Sequence, residues 1–282
     1  MPTISRNATI AKWLGNNLGR GVLMTTWASG IIWVLIWAFT MSPTARAERL
    51  TFTTGDWRPY IFEEDGTVSP KRPGFSVEIV NAVFAELGYE IDYKTAPFLR
   101  QIHEVERGKF TALVGVYRSE APNLVFPREP IGVTRNCFYT RAGRPWKFES
   151  LKDLSSITLA TVGGYTYGEI DSYLEASDEG VIKLKGDEAS MMMRLTKLVE
   201  ADRATAFVQD TAVAEYFFET KGLKGRFQES GCLPVIETMI GFSPKDPRTS
   251  ALIHDFDIEI EKLRSSGELE KILRKYGIAD WK

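Results

Sequence analysis

The sequence predicts an α/β protein of three-layer construction, a mostly parallel sheet with covering helices. Three observations carry that expectation. Strand-like and helix-like segments alternate from residue 50 onward. Near the middle, Ala160-Thr161-Val162-Gly163-Gly164-Tyr165-Thr166-Tyr167-Gly168-Glu169 reads as a strand, a tight glycine turn and a helix start. Beyond an export-like leader, the 235 residues from 48 to 282 suit one large domain or two lobes of roughly 100 residues each.

The leader is the first segment to justify. Residues 1–47 hold Arg6, Lys12, Arg20 and Arg46 and no acidic residue, with an apolar run from 22 to 41. Ala45-Arg46-Ala47 is a small-x-small cleavage site before Glu48, so a cleaved signal peptide is expected over 1–47. A retained anchor is the other reading, because about 20 apolar residues can span a bilayer.

The elements follow in order. Residues 50–54 form a first strand, and a turn-rich stretch from Gly55 to Tyr60 leads into a polar loop over 63–73. Apolar residues at 75, 79, 80, 83, 84 and 87 keep helical spacing until Gly88. A strand at 89–93, a helix at 99–107 stopped by Gly108, and a strand at 112–116 complete a β-loop-α-β-α-β order. A second set has strands at 137–140, 157–162, 204–208 and 238–243. Its helices are placed at 169–174, 187–200 and 211–220, and two more close the chain at 249–266 and 268–276. The Met191-Met192-Met193 triplet on the 187–200 helix reads as core filler.

Composition excludes several functions. Without the four leader cations, 31 basic residues face 37 acidic ones, a net charge of about −6. That argues against nucleic acid and anionic membrane as partners, which call for clustered Lys and Arg. No CxxC or HxxxH spacing supports a metal, and His103 is expected on an exposed helix face. No Gly-x-Ser-x-Gly elbow is present, and two histidines leave little material for a nucleophile–base pair. Glu63-Glu64 lies in a polar loop and reads as solvated. No cofactor is expected.

Two features point to binding. Glycines before a helix start leave backbone N–H groups outward, where the helix dipole favours an anion. No Walker-type Lys-Ser/Thr follows them, so a small anionic or zwitterionic solute fits better than a nucleotide. Cys137 and Cys232, an even and low count in an exported chain, suggest one structural disulfide, with two buried thiols as the alternative.

Six segments occur in an order that resembles a known family. They are Trp57-Arg58-Pro59-Tyr60, Gly74-Phe75-Ser76-Val77-Glu78-Ile79, Gly108-Lys109-Phe110, Gly163-Gly164-Tyr165-Thr166, Val208-Gln209-Asp210 and Ser266-Gly267-Glu268-Leu269. Together they resemble the family 3 periplasmic solute-binding proteins, the amino-acid-binding components of ABC importers. The resemblance spans about residues 50–278. It implies two three-layer α/β lobes joined by two crossing strands, the type II periplasmic binding protein fold. Lobe 1 would comprise 48–134 plus 239–282 and lobe 2 135–238, which places both cysteines beside the crossings and supports their pairing. The implied protein is a periplasmic monomer that closes on a small ligand, an amino acid or other small carboxylate, and serves an ABC permease in the inner membrane.

The resemblance also implies a site. Trp57 stands where the family stacks an aromatic on the ligand side chain, although a core role suits it too. Phe98 matches a pocket-wall position, with ordinary packing as an equal alternative. Gly115, Tyr117 and Arg118 end a strand at the lobe edge, where open α/β sheets bind ligands. Gly164, Tyr165 and Thr166 would meet a carboxylate, or Thr166 would only cap a helix. Asp210 matches the aspartate that accepts from a ligand ammonium, and it also suits the N-cap of the 211–220 helix. One departure stands out. Amino-acid binders carry a Thr-Pro-Glu-Arg-like turn whose arginine grips the ligand α-carboxylate. This chain reads Arg118-Ser119-Glu120-Ala121-Pro122-Asn123-Leu124-Val125-Phe126, shorter and without an arginine at the expected place. Arg118 becomes the candidate replacement, with a surface salt bridge as its other reading. A sensor for a membrane receptor and a dehydratase-like enzyme are the alternative functions on this fold.

Overall fold

A computed structural model describes residues 48–177, 179–186 and 190–282. The expected leader over 1–47 and the first turn of the 187–200 helix lie outside the described residues. No helix among the described residues is long and apolar enough to cross a membrane.

Two five-stranded sheets dominate. The first has the order β4-β1-β5-β12-β6, built from β1 (Glu48–Thr54), β4 (Tyr89–Thr95), β5 (Ala112–Val116), β6 (Gly132–Thr134) and β12 (Ile236–Phe242). The second has the order β11-β7-β10-β8-β9, from β7 (Asn136–Arg141), β8 (Leu159–Val162), β9 (Val181–Leu184), β10 (Ala206–Asp210) and β11 (Phe227–Cys232). A small hairpin, β2 (Glu63–Glu64) and β3 (Thr67–Val68), sits in the loop expected to be polar.

The parallel arrangement holds for β4, β1 and β5 and for β9, β8 and β10. β12 and β7 run antiparallel to their neighbours. These are the strands through which the chain passes between sheets: β6 leads into β7 through Arg135, and β11 leads into β12 through 233–235. A strand arriving from the other sheet enters from the opposite end, which sets its direction. The two-lobe type II architecture follows.

Period-2 alternation makes each sheet a middle layer. In the second sheet, Phe138 and Val208 face a cluster with Phe148, Tyr167 and Ile170. Their neighbours Tyr139 and Phe207 face the other way, onto α4 (Met191–Glu200) and α5 (Thr211–Lys221) through Leu195, Val199 and Phe218. Met191 and Met192 are buried in this cluster, as their spacing predicts. In the first sheet, Phe52, Val114 and Phe242 pack under α1 (Phe75–Glu86), α6 (Thr249–Ser265) and α7 (Glu268–Arg274). Leu113 and Val116 pack on the opposite face, beside α2 (Phe98–Glu106). Each fully buried side chain of this size contributes roughly 1.5–3 kcal/mol.

α1 begins against the Pro59–Tyr60 turn. The backbone N–H groups of Phe75 and Ser76, free at a helix start, donate to the carbonyls of Pro59 (3.3 Å) and Tyr60 (3.1 Å). Gly74 makes this approach possible: its φ is 101°, and a Cβ there would lie 2.2 Å from the Tyr60 carbonyl oxygen. The sequence segment Gly74-Phe75-Ser76 therefore fixes the loop that carries Trp57 and Tyr60.

Candidate functional site

The site is built where the carboxyl ends of β1 and β5 face the ends of β8 and β10. After β1 the chain folds back on itself, with Trp57 N donating to Ile61 O (3.0 Å) and Ile61 N to Trp57 O (2.9 Å). The Trp57 ring stacks on Tyr60, centroids 4.2 Å apart, and meets the edge of Tyr117 at 6.2 Å. Beneath it, β5 carries a bulge. Met239 pairs with Val116 and Ile240 with Val114, which leaves Gly115 as the extra residue, at φ 85°. A Cβ at 115 would sit 3.1 Å from Ile61 Cδ1 and 3.4 Å from Trp57 Cε3. Glycine at 115 thus lets the indole lie against the strand and turns Tyr117 towards the second sheet.

Three groups of side chains join the sheets here. Tyr60, buried at the end of the first turn, places Oη 2.9 Å from Val133 O and 3.1 Å from Asp210 Oδ1. Asp210 ends β10 and is only 3% exposed. Its Oδ1 also accepts from Val213 N (3.0 Å), the N-cap bond of α5, and its Oδ2 accepts from Arg135 N (3.0 Å). The Ala212 N–H is a further donor to this carboxylate. Burial pushes the Asp210 carboxyl up from 3.8 to about 6, and the four donors only partly oppose it. Burial likewise holds the hydroxyls of Tyr60 and Tyr117 well above the usual tyrosine range. Tyr117 O–H is itself hydrogen-bonded to Thr134.

The second joining group is Glu120. Its Oε2 accepts from Tyr117 N at 3.0 Å, and Thr166, from the turn after β8, favours its charged form. Burial raises the Glu120 carboxyl above the ordinary glutamate value, with Asp171 adding to that rise. The third is an aromatic–guanidinium stack: Arg72 lies 5.0 Å above Phe62, 5.7 Å from Tyr216 of α5 and 5.3 Å from Tyr276. Arg58 also sits over Phe62 at 5.2 Å and hydrogen-bonds Tyr216.

The structure brings Trp57, Gly115, Tyr117, Thr166 and Asp210 into one region. It places two expected residues elsewhere. Phe98 packs at the start of α2 against Val105, Leu113, Val116, Ala121 and Leu124. Arg118 donates to Pro127 O (2.6 Å), stacks on Phe126 at 5.3 Å and lies 3.9 Å from Glu237. The salt-bridge reading of Arg118 therefore matches its position. Gly164 lies in the turn at φ 91°, and Tyr165, 41% exposed, has its ring 6.4 Å from that of Tyr167.

The helix expected at 169–174 starts two residues later, as α3 (Asp171–Ala176). Its start is governed by Asp171, whose carboxylate accepts from Tyr167 N (2.8 Å) and Gly168 N (3.1 Å). Asp171 thus occupies the two N–H groups that follow Thr166, while Tyr165 N, one of the donors expected to meet a ligand, bonds Val162 O at 3.3 Å. Tyr60, Glu120 and Asp171 were not singled out by the sequence, although Tyr60 and Glu120 lie inside segments quoted for other residues. Cys137 and Cys232 form a disulfide between paired positions of β7 and β11. Glu229 lies beside them, and the bond leaves no thiolate there to ligate a metal.

Comparison with known proteins places the chain. The sequence profile of the bacterial extracellular solute-binding proteins, family 3, matches residues 50–279. The arginine-binding extracellular protein ArtP of Bacillus subtilis (strain 168) is 23% identical over 248 residues, covering 83% of this chain and 88% of its own. A solved histidine kinase sensor domain with similarity to periplasmic binding proteins superposes with a TM-score of 0.64 at 17% identity, covering 82% of this chain and 97% of its own. An ancestral arginine-binding protein bound to arginine gives 0.62 at 17% identity, covering 82% and 99%.

Proposed function

The chain belongs to the bacterial extracellular solute-binding proteins, family 3, and from that premise we propose that it captures a small polar solute between its lobes and delivers it to an ABC permease. The solute is an amino acid or other small carboxylate, in keeping with the arginine-binding name of its B. subtilis relative. In this reading, residues 1–47 export the chain to the periplasm. Residues 48–134 plus 239–282 form one lobe, 135–238 form the other, and the protein works as a monomer without catalysis or a cofactor. Capture proceeds by hinge closure about the two crossings.

The observation that carries this reading is the approach of Tyr60 to Asp210 and of Glu120 to Thr166 across the two sheets, beside the Trp57–Tyr117 aromatic pair of the first. An aromatic wall and hydrogen-bonding groups on opposite lobes are what a closing cleft needs to hold an orienting polar ligand. Thermal-shift measurement against amino acids and small carboxylates tests it. A ligand at 100 times its Kd stabilises the folded protein by about 2.7 kcal/mol. Silence across the whole panel overturns solute binding, and chemical conversion of a bound solute, read by NMR, would replace capture by turnover.

A further inference from the structure

We infer that Glu120 is a specificity-determining residue of the inter-lobe cleft, and that it selects a cationic group, an ammonium or guanidinium, without requiring a ligand carboxylate. The inference rests on the reading of this cleft as the solute site; it keeps solute capture and replaces the carboxylate requirement with positive charge.

The first ground is how the anion-binding donors are used. Tyr117 N binds the Glu120 carboxylate at 3.0 Å, and Thr166, from the other lobe, favours its charged form. Tyr167 N and Gly168 N, the backbone donors after the glycine turn, both bind the Asp171 carboxylate. A ligand carboxylate at this turn would sit beside these two internal carboxylates, where like charges in a partly buried site repel. Arg118, the nearest candidate to neutralise it, is held by Pro127 O, Phe126 and Glu237.

The second ground is hydrogen-bond capacity. A carboxylate offers about four acceptor sites. At Asp210 both oxygens are engaged within the protein, Oδ1 by Val213 N and the Tyr60 hydroxyl and Oδ2 by Arg135 N. At Glu120 a single hydrogen bond, from Tyr117 N to Oε2, is made, and the remaining sites can accept charge-assisted bonds from a cation. Among the described residues, neither Glu120, Asp171 nor Asp210 is within ion-pair distance of a Lys or Arg side chain, whereas ion pairs are plentiful elsewhere on the protein.

The third ground is the wall. Trp57 and Tyr117 meet edge to face at 6.2 Å, on the strand end from which Glu120 follows three residues later. Indole and phenol faces attract cations, the more so when water is excluded. An aromatic pair beside a carboxylate with spare acceptor sites therefore discriminates by positive charge.

Titration calorimetry on the purified protein tests this with two sets of probes: agmatine, putrescine and choline, which carry no carboxylate, and arginine, glutamine and glutamate. At least one carboxylate-free cation is expected to bind as tightly as arginine or tighter, with glutamate at least tenfold weaker. Glu120→Gln keeps an acceptor for Tyr117 N and is expected to weaken the cation at least tenfold while the melting temperature stays within a few degrees. Glu120→Arg is expected to lose the cation and gain glutamate. The inference is overturned if an amino acid binds while every carboxylate-free cation is at least tenfold weaker than arginine, and the proposed solute capture then stands. It is also overturned if Glu120→Gln leaves cation affinity unchanged. If no probe binds, and the broader thermal-shift panel is silent as well, solute capture falls with it.

Discussion

Asp210 carries its charge at a cost set by burial. Its carboxyl lies at about 6 in the folded protein against an unfolded value of 3.8, a difference on the order of 3 kcal/mol between the two protonation states. The folded state therefore binds the proton more tightly than the unfolded state. The resulting stability is fully present below about pH 4 and is lost as pH rises through 6. Asp210→Asn removes this titration, so wild-type melting temperature should fall relative to that of the variant between pH 5 and pH 8. A constant difference across that range would mean that the carboxyl titrates normally. Gly115 makes a second prediction at this scale. A methyl group there meets Ile61 and Trp57 while the backbone stays at positive φ, so Gly115→Ala should cost about 1–3 kcal/mol in denaturant unfolding. It should also weaken solute binding, because the indole is displaced.

Among the elements, those with strong alternation or helical spacing were legible from sequence. β5, β8 and β10 read as strands because each is an apolar run buried on both faces, and α1 and α4 kept their periodicity. β11 was missed because Phe-Gln-Glu-Ser-Gly-Cys is polar and glycine-broken, as an edge strand can be. β9 was missed because four residues leave too little pattern. α3 was misplaced because the glycine turn was taken to set its start, whereas the Asp171 carboxylate does so by binding the two preceding N–H groups. Within the site, aromatic and glycine positions were legible from their turns. Glu120 carries no such signal, since its turn is marked by a missing arginine and Arg118 is the cation beside it in sequence. Phe98 belongs to this scale too. Its ring helps dock α2 on β5, so Phe98→Ala should cost about 1–3 kcal/mol, less than a fully buried phenylalanine. It should leave solute affinity unchanged within twofold by calorimetry.

For the molecule as a whole, the disulfide is the longest-range covalent constraint, joining residues 95 apart in sequence. In the chain-entropy description, closing such a loop stabilises by about 4–5 kcal/mol, although strain and residual structure reduce what is realised. Replacing both cysteines by serine should lower stability by several kcal/mol, and reductant should then no longer shift the melting curve. An unchanged stability would mean that closing this loop adds no net stability. The bond also sits at a telling place. Cys137 is two residues past Arg135 on one crossing, and Cys232 immediately precedes the 233–235 link on the other. Leu233 N adds a backbone bond to Asn136 O at 2.8 Å.

The two crossing chains consequently reach the second lobe as a single welded strut. Torsion about one chain independently of the other is suppressed, and bending is concentrated in the short links at Arg135 and 233–235. A door on two separate pins can rack, whereas one on a joined pin can only swing. In the proposed closure the lobes would swing about one axis, so that Tyr60 meets Asp210 and Glu120 meets Thr166 in the same alignment each time.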